Sequence, residues 1–387
     1  MIDYSKVIAS RAGEIKPSGI RKFFDILETM KGVVSLTVGQ PDFPTPWHVR
    51  DAAIDSIQKG KTYYTSNAGT PELRREISSY LSRSFGINYS ENEIITTVGG
   101  SEAIDIIIRT LAGEGDEVIV HNPNFVCYEP LVHLCGAKAV SIDTKEEEGF
   151  KVTPEALRAA ITERTKAVIM TYPNNPTGAI MEREDWEGIA EVLRDTNIVL
   201  ISDEIYAELT YGKKHVSPAS IDGMRERTVT VGGFSKAFAM TGWRLGYIAA
   251  PEEIIRTVLK IHQYAIMCAP TASQFAGIEA MRNGAEDVKM MVAEYDRRRK
   301  ILLSEFKKMG IPCYEPKGAF YVFPNIKKFG LSSEEFAEKL LFEYNCAVVP
   351  GSAFGDCGEG FVRISYAYSL EHLYKGLECI KKMIENL

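Results

Sequence analysis

At 387 residues, with 45% apolar and 25% charged side chains, the chain has the composition of an ordinary globular protein and the length for two domains rather than one small core. A net charge of −7 offers no chain-wide basic footprint, so neither nucleic acid nor an acidic membrane is expected as a partner. The seven cysteines (127, 135, 268, 313, 346, 357 and 379) never take a C-x-x-C spacing, which argues against a zinc site and a disulfide framework alike. The opening stretch MIDYSKVIASRAGEIKP lacks an apolar core for secretion and no run of about 18 apolar residues follows, so a soluble, cytoplasmic protein is expected.

From about residue 50 to 280, short runs rich in Val and Ile alternate with helical patterns. Strands are predicted near Ile94–Val98, Glu117–His121, Ala139–Ile142, Ala167–Thr171, Ile198–Ser202 and Thr228–Val231. Helices are predicted over Pro71–Phe85, Ser101–Leu111, Pro154–Ala160 and Asp185–Arg194. Strands apolar on both faces, separated by helices, describe an α/β fold with a mainly parallel sheet covered on both sides. Beyond residue 285 the stretch EDVKMMVAEYDRRRKILLSEFKKMG predicts one long helix ending at Gly310. Strand-like GAFYVFP and FVRISYA and helices at Ser333–Tyr344 and Ser369–Asn386 then describe a smaller α+β domain.

Several of these strands end in residues that carry chemistry. Ile94–Val98 runs into Gly99, Gly100, Ser101 and Glu102 at the start of a helix, where free backbone N–H groups suit a phosphate. Ala167–Thr171 ends in the turn NNPTG with Asn175, Ile198–Ser202 in Asp203 and Tyr206, and Thr228–Val231 in GGFSKAFAMTGWRLGY with Ser235, Lys236 and Arg244. In an open parallel sheet the ligand lies outside the carboxyl ends of the strands, so these groups converge on one crevice. A phosphate cradle, a carboxylate, an amide, a phenol and an amine are what pyridoxal 5'-phosphate asks of a protein. Taken singly, Asp203 reads as a helix N-cap, NNPTG as a turn, Arg363 as a solvated strand residue, Tyr64 and Phe125 as core and Lys236 as a surface lysine. Their succession at strand ends is what separates them from those readings. The six histidines never take an H-E-x-x-H spacing, so no metal site is expected.

Over nearly its full length the chain resembles the class I aminotransferases of the pyridoxal-phosphate fold-type I family, through GQPDF (39–43), YYTSNAGTPELR (63–74), NNPTG (174–178), SDEIY (202–206), SKAFAMTGWRLGY (235–247), KGAFY (317–321) and VRISYA (362–367). The resemblance is toward prokaryotic aspartate and aromatic aminotransferases and N-acetyl-diaminopimelate aminotransferases. It implies a Schiff-base role for Lys236, which also shuttles the substrate proton, a partner for the ring nitrogen in Asp203, and partners for the ring's 3-hydroxyl in Asn175 and Tyr206. Phe125 is implied to stack on the ring. Gly100, Ser101, Glu102, Ser235 and Arg244 are implied to complete the cofactor site. Tyr64 is implied to reach the phosphate of a neighbouring subunit, so the site requires a homodimer. Arg363 is implied to pair with the substrate α-carboxylate, helped by Asn175 and the Gly39 backbone. In the segment SGIRKF, Ile20 is expected as an apolar lid and Arg21 as a partner for a distal carboxylate. One departure is Gly233, where some relatives have a phosphate-binding serine.

The expected organisation is a 1–47 segment belonging to the small domain and lid, a large cofactor-binding domain over 48–290 and a small domain over 291–387. The expected activity is transfer of the amino group of an L-amino acid, aspartate or aromatic, to a 2-oxo acid such as 2-oxoglutarate by ping-pong half reactions. An N-acetyl-LL-diaminopimelate aminotransferase and a β-lyase on the same fold are the alternatives. A non-enzymatic ligand-sensing domain would need an upstream DNA-binding module, and no basic helix pair precedes GQPDF.

Overall fold

The computed structural model describes residues 2–17, 30 and 32–387. After a short strand β1 (Val34–Ser35) come β2 (Ile94–Thr97), β3 (Glu117–Asn122), β4 (Lys138–Asp143), β5 (Thr165–Thr171), β6 (Val199–Asp203), β7 (Thr228–Gly233) and β8 (Gly246–Ala249). The last seven form one sheet in the order β2-β8-β7-β6-β5-β3-β4. Six of them lie within two residues of their predicted positions. Every residue of β2, β3 and β7 is buried, as a sheet covered on both faces requires, whereas β4 at the edge is largely open. The sequence reading missed β8, which runs antiparallel to both of its neighbours, β2 and β7, in an otherwise parallel sheet.

That reversal positions the site. A strand entering from the opposite side starts where its neighbours end, so the chain between β7 and β8, carrying residues 234–245, stays at the carboxyl edge. Gly246 makes the join possible: a Cβ there would lie 2.8 Å from the Gly99 carbonyl carbon and 3.1 Å from the Gly100 nitrogen. Helix Gly99–Leu111 buries Ile104, Ile107 and Ile108 in the core under β3, β7 and β8, which aims its N-terminus at the same edge. Helix Pro71–Phe85 shows local sequence signals agreeing with packing. The Thr70 hydroxyl accepts from the Leu73 N–H, proline opens the first turn, and Gly86 closes it in the left-handed region. Its apolar face buries Leu73, Ile77 and Leu81.

The long helix spans Ala285–Lys308, just short of Gly310 at φ +67°. Past it lie β9 (Tyr321–Val322), β10 (Cys346–Ala347), β11 (Val349–Pro350) and β12 (Val362–Ser365). The order β11-β12-β9 makes an antiparallel sheet, with Ile364 opposite Val322, while β10 pairs in parallel with β1. The predicted strands in GAFYVFP and FVRISYA are therefore present but short. Leu36 from the N-terminal segment shares a core with Phe306, Phe320, Leu340 and Leu377, so both chain ends build one layer. Among the described residues no helix is long and apolar enough to cross a membrane.

Candidate active site

Between the carboxyl edge of the central sheet and the β9–β12 layer lies a cavity of about 330 Å³. The large sheet contributes Gly100, Ser101, Phe125, Asn175, Asp203, Tyr206, Ser235, Lys236 and Arg244; Gly39, Tyr321 and Arg363 close it from the other side. The structure thus brings together most of the residues singled out in the sequence, from elements up to 324 residues apart (363 − 39).

The Lys236 Nζ donates to the Gly39 carbonyl at 2.7 Å. Burial lowers its pKa to about 8, assisted by the positive charges of Arg363 and Arg244 and opposed by Asp203. An amine poised there is mostly charged at pH 7 but carries about a tenth of its population unprotonated, far more than an ordinary lysine, and that is the nucleophilic and basic form. Gly39 has to be glycine, because a Cβ would collide with the Tyr321 hydroxyl.

Asp203 closes β6 and is 6% exposed. Its Oδ2 accepts from the Tyr128 hydroxyl at 2.7 Å and its Oδ1 from the Ile205 N–H at 3.1 Å. Burial nevertheless raises its pKa to about 6. Tyr206 bonds the Tyr321 hydroxyl at 2.8 Å.

The buried guanidinium of Arg363, on β12, lies against the rings of Tyr321 and Phe354, 4.6 and 4.9 Å from their centroids. Its Nη1 donates to Asn175 Oδ1 at 2.9 Å and its Nη2 to the Thr37 carbonyl at 2.5 Å. Its Nε has no partner among the described residues although it is buried. A buried guanidinium with no carboxylate partner among the described residues is costly, and an anion entering the cavity it lines would offset that cost. Asn175 is held by its own turn: Asn174 Oδ1 accepts from the N–H and hydroxyl of Thr177, and the Gly178 carbonyl accepts from the N–H groups of Lys317 and Gly318. Two motifs distant in sequence, NNPTG and KGAFY, are thereby one structural unit.

Around the helix N-terminus, Gly99 at φ +79° leaves room for the Arg244 guanidinium, which a Cβ would meet at 2.6 Å. Arg244 donates to the Thr241 carbonyl at 2.9 Å and faces the cavity beside Ser235. At Gly233 a Cβ would stand 2.6 Å from Ile205 Cδ1, so the space a serine would take is filled by the isoleucine.

Two expected side chains, those of Glu102 and Tyr64, stand outside the cavity. Glu102 does not line the cavity; its carboxylate accepts from the Val98 N–H and pairs with His262 Nδ1 at 2.6 Å. The helix start thus uses this carboxylate as a cap rather than turning it toward the cavity. Tyr64 is 77% exposed and outside its own chain's cavity. Ile20 and Arg21 lie outside the described residues. The sequence reading overlooked Tyr128, Tyr321, Ile205 and Thr171. Tyr128 and Tyr321 sit in apolar surroundings that read as core, and the available signal was the closeness of Tyr128 to Phe125 and the place of Tyr321 as the last residue of KGAFY.

Residues 31–380 match the family described as aminotransferase class I and II. The chain is 44% identical over 381 residues to the aspartate aminotransferase of Pyrococcus abyssi, covering 97% of this chain and 98% of that one. It is also 44% identical over 375 residues to a Bacillus subtilis protein named a probable N-acetyl-LL-diaminopimelate aminotransferase, covering 97% and 95%. Among solved structures, the aromatic aminotransferase from Pyrococcus horikoshii OT3 superposes with a TM-score of 0.90 at 42% identity, covering 94% of this chain and 99% of that one.

Proposed function

The chain belongs to the aminotransferase class I and II family, and from that premise we propose that it uses pyridoxal 5'-phosphate to move the amino group of an L-amino acid to a 2-oxo acid. The observation that carries this reading is the meeting of the Lys236 amine, the Asp203 carboxylate and the Arg363 guanidinium in one cavity. The residues fit the cofactor: an amine with a depressed pKa, a buried carboxylate, a helix N-terminus beside Arg244, and the Arg363 guanidinium lining the same cavity for an anionic substrate.

Bound pyridoxal phosphate supplies an aldehyde that takes up an amino group and a protonated ring that accepts the electron pair left when the substrate's α-proton departs. Lys236 Nζ anchors it and carries that proton as base and then acid. Asp203 keeps a proton on the ring nitrogen. Asn175 and Tyr206 would hold the ring's phenolic oxygen, and Phe125 would pack against the ring. The Gly100 and Ser101 backbone, Ser235 and Arg244 would hold the phosphate, joined by Tyr64 from a second subunit of a homodimer. Arg363, Asn175 and the Gly39 backbone take the substrate carboxylate.

Donors of the aspartate or aromatic type, with 2-oxoglutarate as acceptor, are the substrates we propose, from the names of the relatives above. The diaminopimelate relative supports a second reading, an N-acetylated diamino acid as donor. Ile20 as an apolar lid and Arg21 as the reader of a distal carboxylate remain part of this proposal. So does the division into 1–47, 48–290 and 291–387, supported by the β1–β10 pairing and the shared core of both ends. Cytoplasmic residence is proposed with it.

Arg363→Ala is expected to lower kcat/KM for amino acids by roughly 10²- to 10³-fold, the scale of leaving a buried carboxylate without its charged partner. Turnover of a primary amine lacking the carboxylate should change by less than about threefold. An equal loss on both would assign Arg363 to the fold and remove it from substrate binding.

A further inference from the structure

Asp203 faces Lys236 beyond β7, Cys127 and Tyr128 beyond β3, and its own neighbours Glu204 and Tyr206. Of these, Tyr128 makes the hydrogen bond to Oδ2, at 2.7 Å. Tyr128 is 1% exposed, and its hydroxyl is also bonded to Thr171 Oγ1 at the end of β5. Burial and the neighbouring Asp203 push the phenol well above its ordinary pKa, so it keeps its single proton. An ionised carboxylate can only accept, so that proton goes to Asp203. The Thr171 hydroxyl must then donate to the Tyr128 oxygen, and the chain has one direction.

The far end is fixed as well. The Thr171 N–H donates to His121 Nε2 at 3.1 Å, and the His121 ring stacks on Tyr172 with centroids 5.0 Å apart. Burial lowers His121 to about 4, so the ring is neutral, accepts at Nε2 and carries its proton on Nδ1. A donor whose oxygen itself accepts a hydrogen bond is polarised and donates more strongly.

We propose that Thr171 and Tyr128 form a one-way hydrogen-bond chain, anchored by His121, that keeps Asp203 ionised and aimed into the cavity. Tyr128 and Thr171 are then positioning residues acting through Asp203, an inference that rests on the role given to Asp203 above. The sequence hides the chain because each member looks like core, His121 and Thr171 on β strands and Tyr128 at the start of the helix Tyr128–Leu134.

The test follows the urea stability of the cofactor-free full chain from about pH 4.5 to 8.5, comparing each protein with its own Asp203→Asn counterpart so that only the Asp203 titration remains. With wild type the difference should titrate near pH 6. Tyr128→Phe should move that midpoint up by about one to two pH units, the worth of a hydrogen bond to a charged group. Thr171→Val should move it the same way by less, and should add nothing in the Tyr128→Phe background. An unmoved midpoint in Tyr128→Phe, or a Thr171→Val shift that persists without the Tyr128 hydroxyl, overturns the proposal. Where Tyr128→Phe does not fold, an unmoved midpoint in Thr171→Val overturns it. Failure of the cofactor reading would show separately, as wild-type protein that does not bind pyridoxal phosphate, and would leave this titration readable.

Discussion

Lys236→Ala is expected to lower amino transfer from every donor by at least about 10⁴-fold, the upper range of what a positioned general acid–base supplies. The cavity contains no described substitute: its other cations, Arg244 and Arg363, stay charged and cannot take up a proton. For the same reason Lys236→Arg, which keeps the charge, should be nearly as inactive. Stability should move differently. The Lys236 amine has a folded pKa near 8 against 10.5 in the open chain, so stability associated with it falls as pH drops through that window. At pH 7 the native state holds a costly charge, and removing it should leave the cofactor-free protein no less stable despite the lost packing of the stem. Steady-state kinetics beside urea titration at pH 7 check both halves. A variant unfolded in proportion to its lost activity would make Lys236 a structural residue.

The second large effect is expected at Asp203→Asn, where activity and stability should move in opposite directions. Asparagine preserves the shape, and its one amide oxygen can keep the Ile205 N–H while its Nδ2 turns a donor toward the Tyr128 oxygen, but it carries no negative charge to hold a proton on the ring nitrogen. A loss of roughly 10²- to 10³-fold in kcat is expected, the size seen when one preorganised electrostatic contact is removed. The carboxyl pKa of about 6, against 3.8 in the open chain, means the unfolded state gives up its proton first as pH rises. Stability from this group is therefore lost between about pH 4 and 6, and above that its charge costs about 3 kcal/mol. The cofactor-free variant should exceed wild type by up to that amount at pH 7 and converge with it near pH 4. Equal stability at both pH values would mean the carboxylate is better solvated than its surroundings indicate.

What the sequence disclosed depended on whether position and chemistry coincided. Strand β6 was legible because an apolar run stops at a carboxylate, and the turn at Asn175 because NNPTG has its own local chemistry. Strand β8 was not, since its four residues follow directly on the loop 234–245 and its direction is set by packing against β2 and β7. The Glu102 side chain was ambiguous for a related reason: an acidic residue in the first turn suits either a ligand-facing side chain or a cap, and the partner that holds its carboxylate, His262, lies 160 residues on. Tyr128 and Tyr321 illustrate the harder case. Each is an aromatic among apolar neighbours, and each has a hydroxyl whose partner, Asp203 or Tyr206, is distant in sequence.

The most direct test of the central claim is the visible absorbance of the purified protein with pyridoxal phosphate, before and after aspartate, glutamate, phenylalanine, tyrosine and N-acetyl-diaminopimelate are added separately. The account predicts a protein-bound visible band that at least one donor abolishes and a 2-oxo acid restores, with the responsive donors naming the substrate class. A bound band that none of the donors changes, or pyruvate and ammonia released from a cysteine-type substrate with no amino group passed to an acceptor, would contradict it.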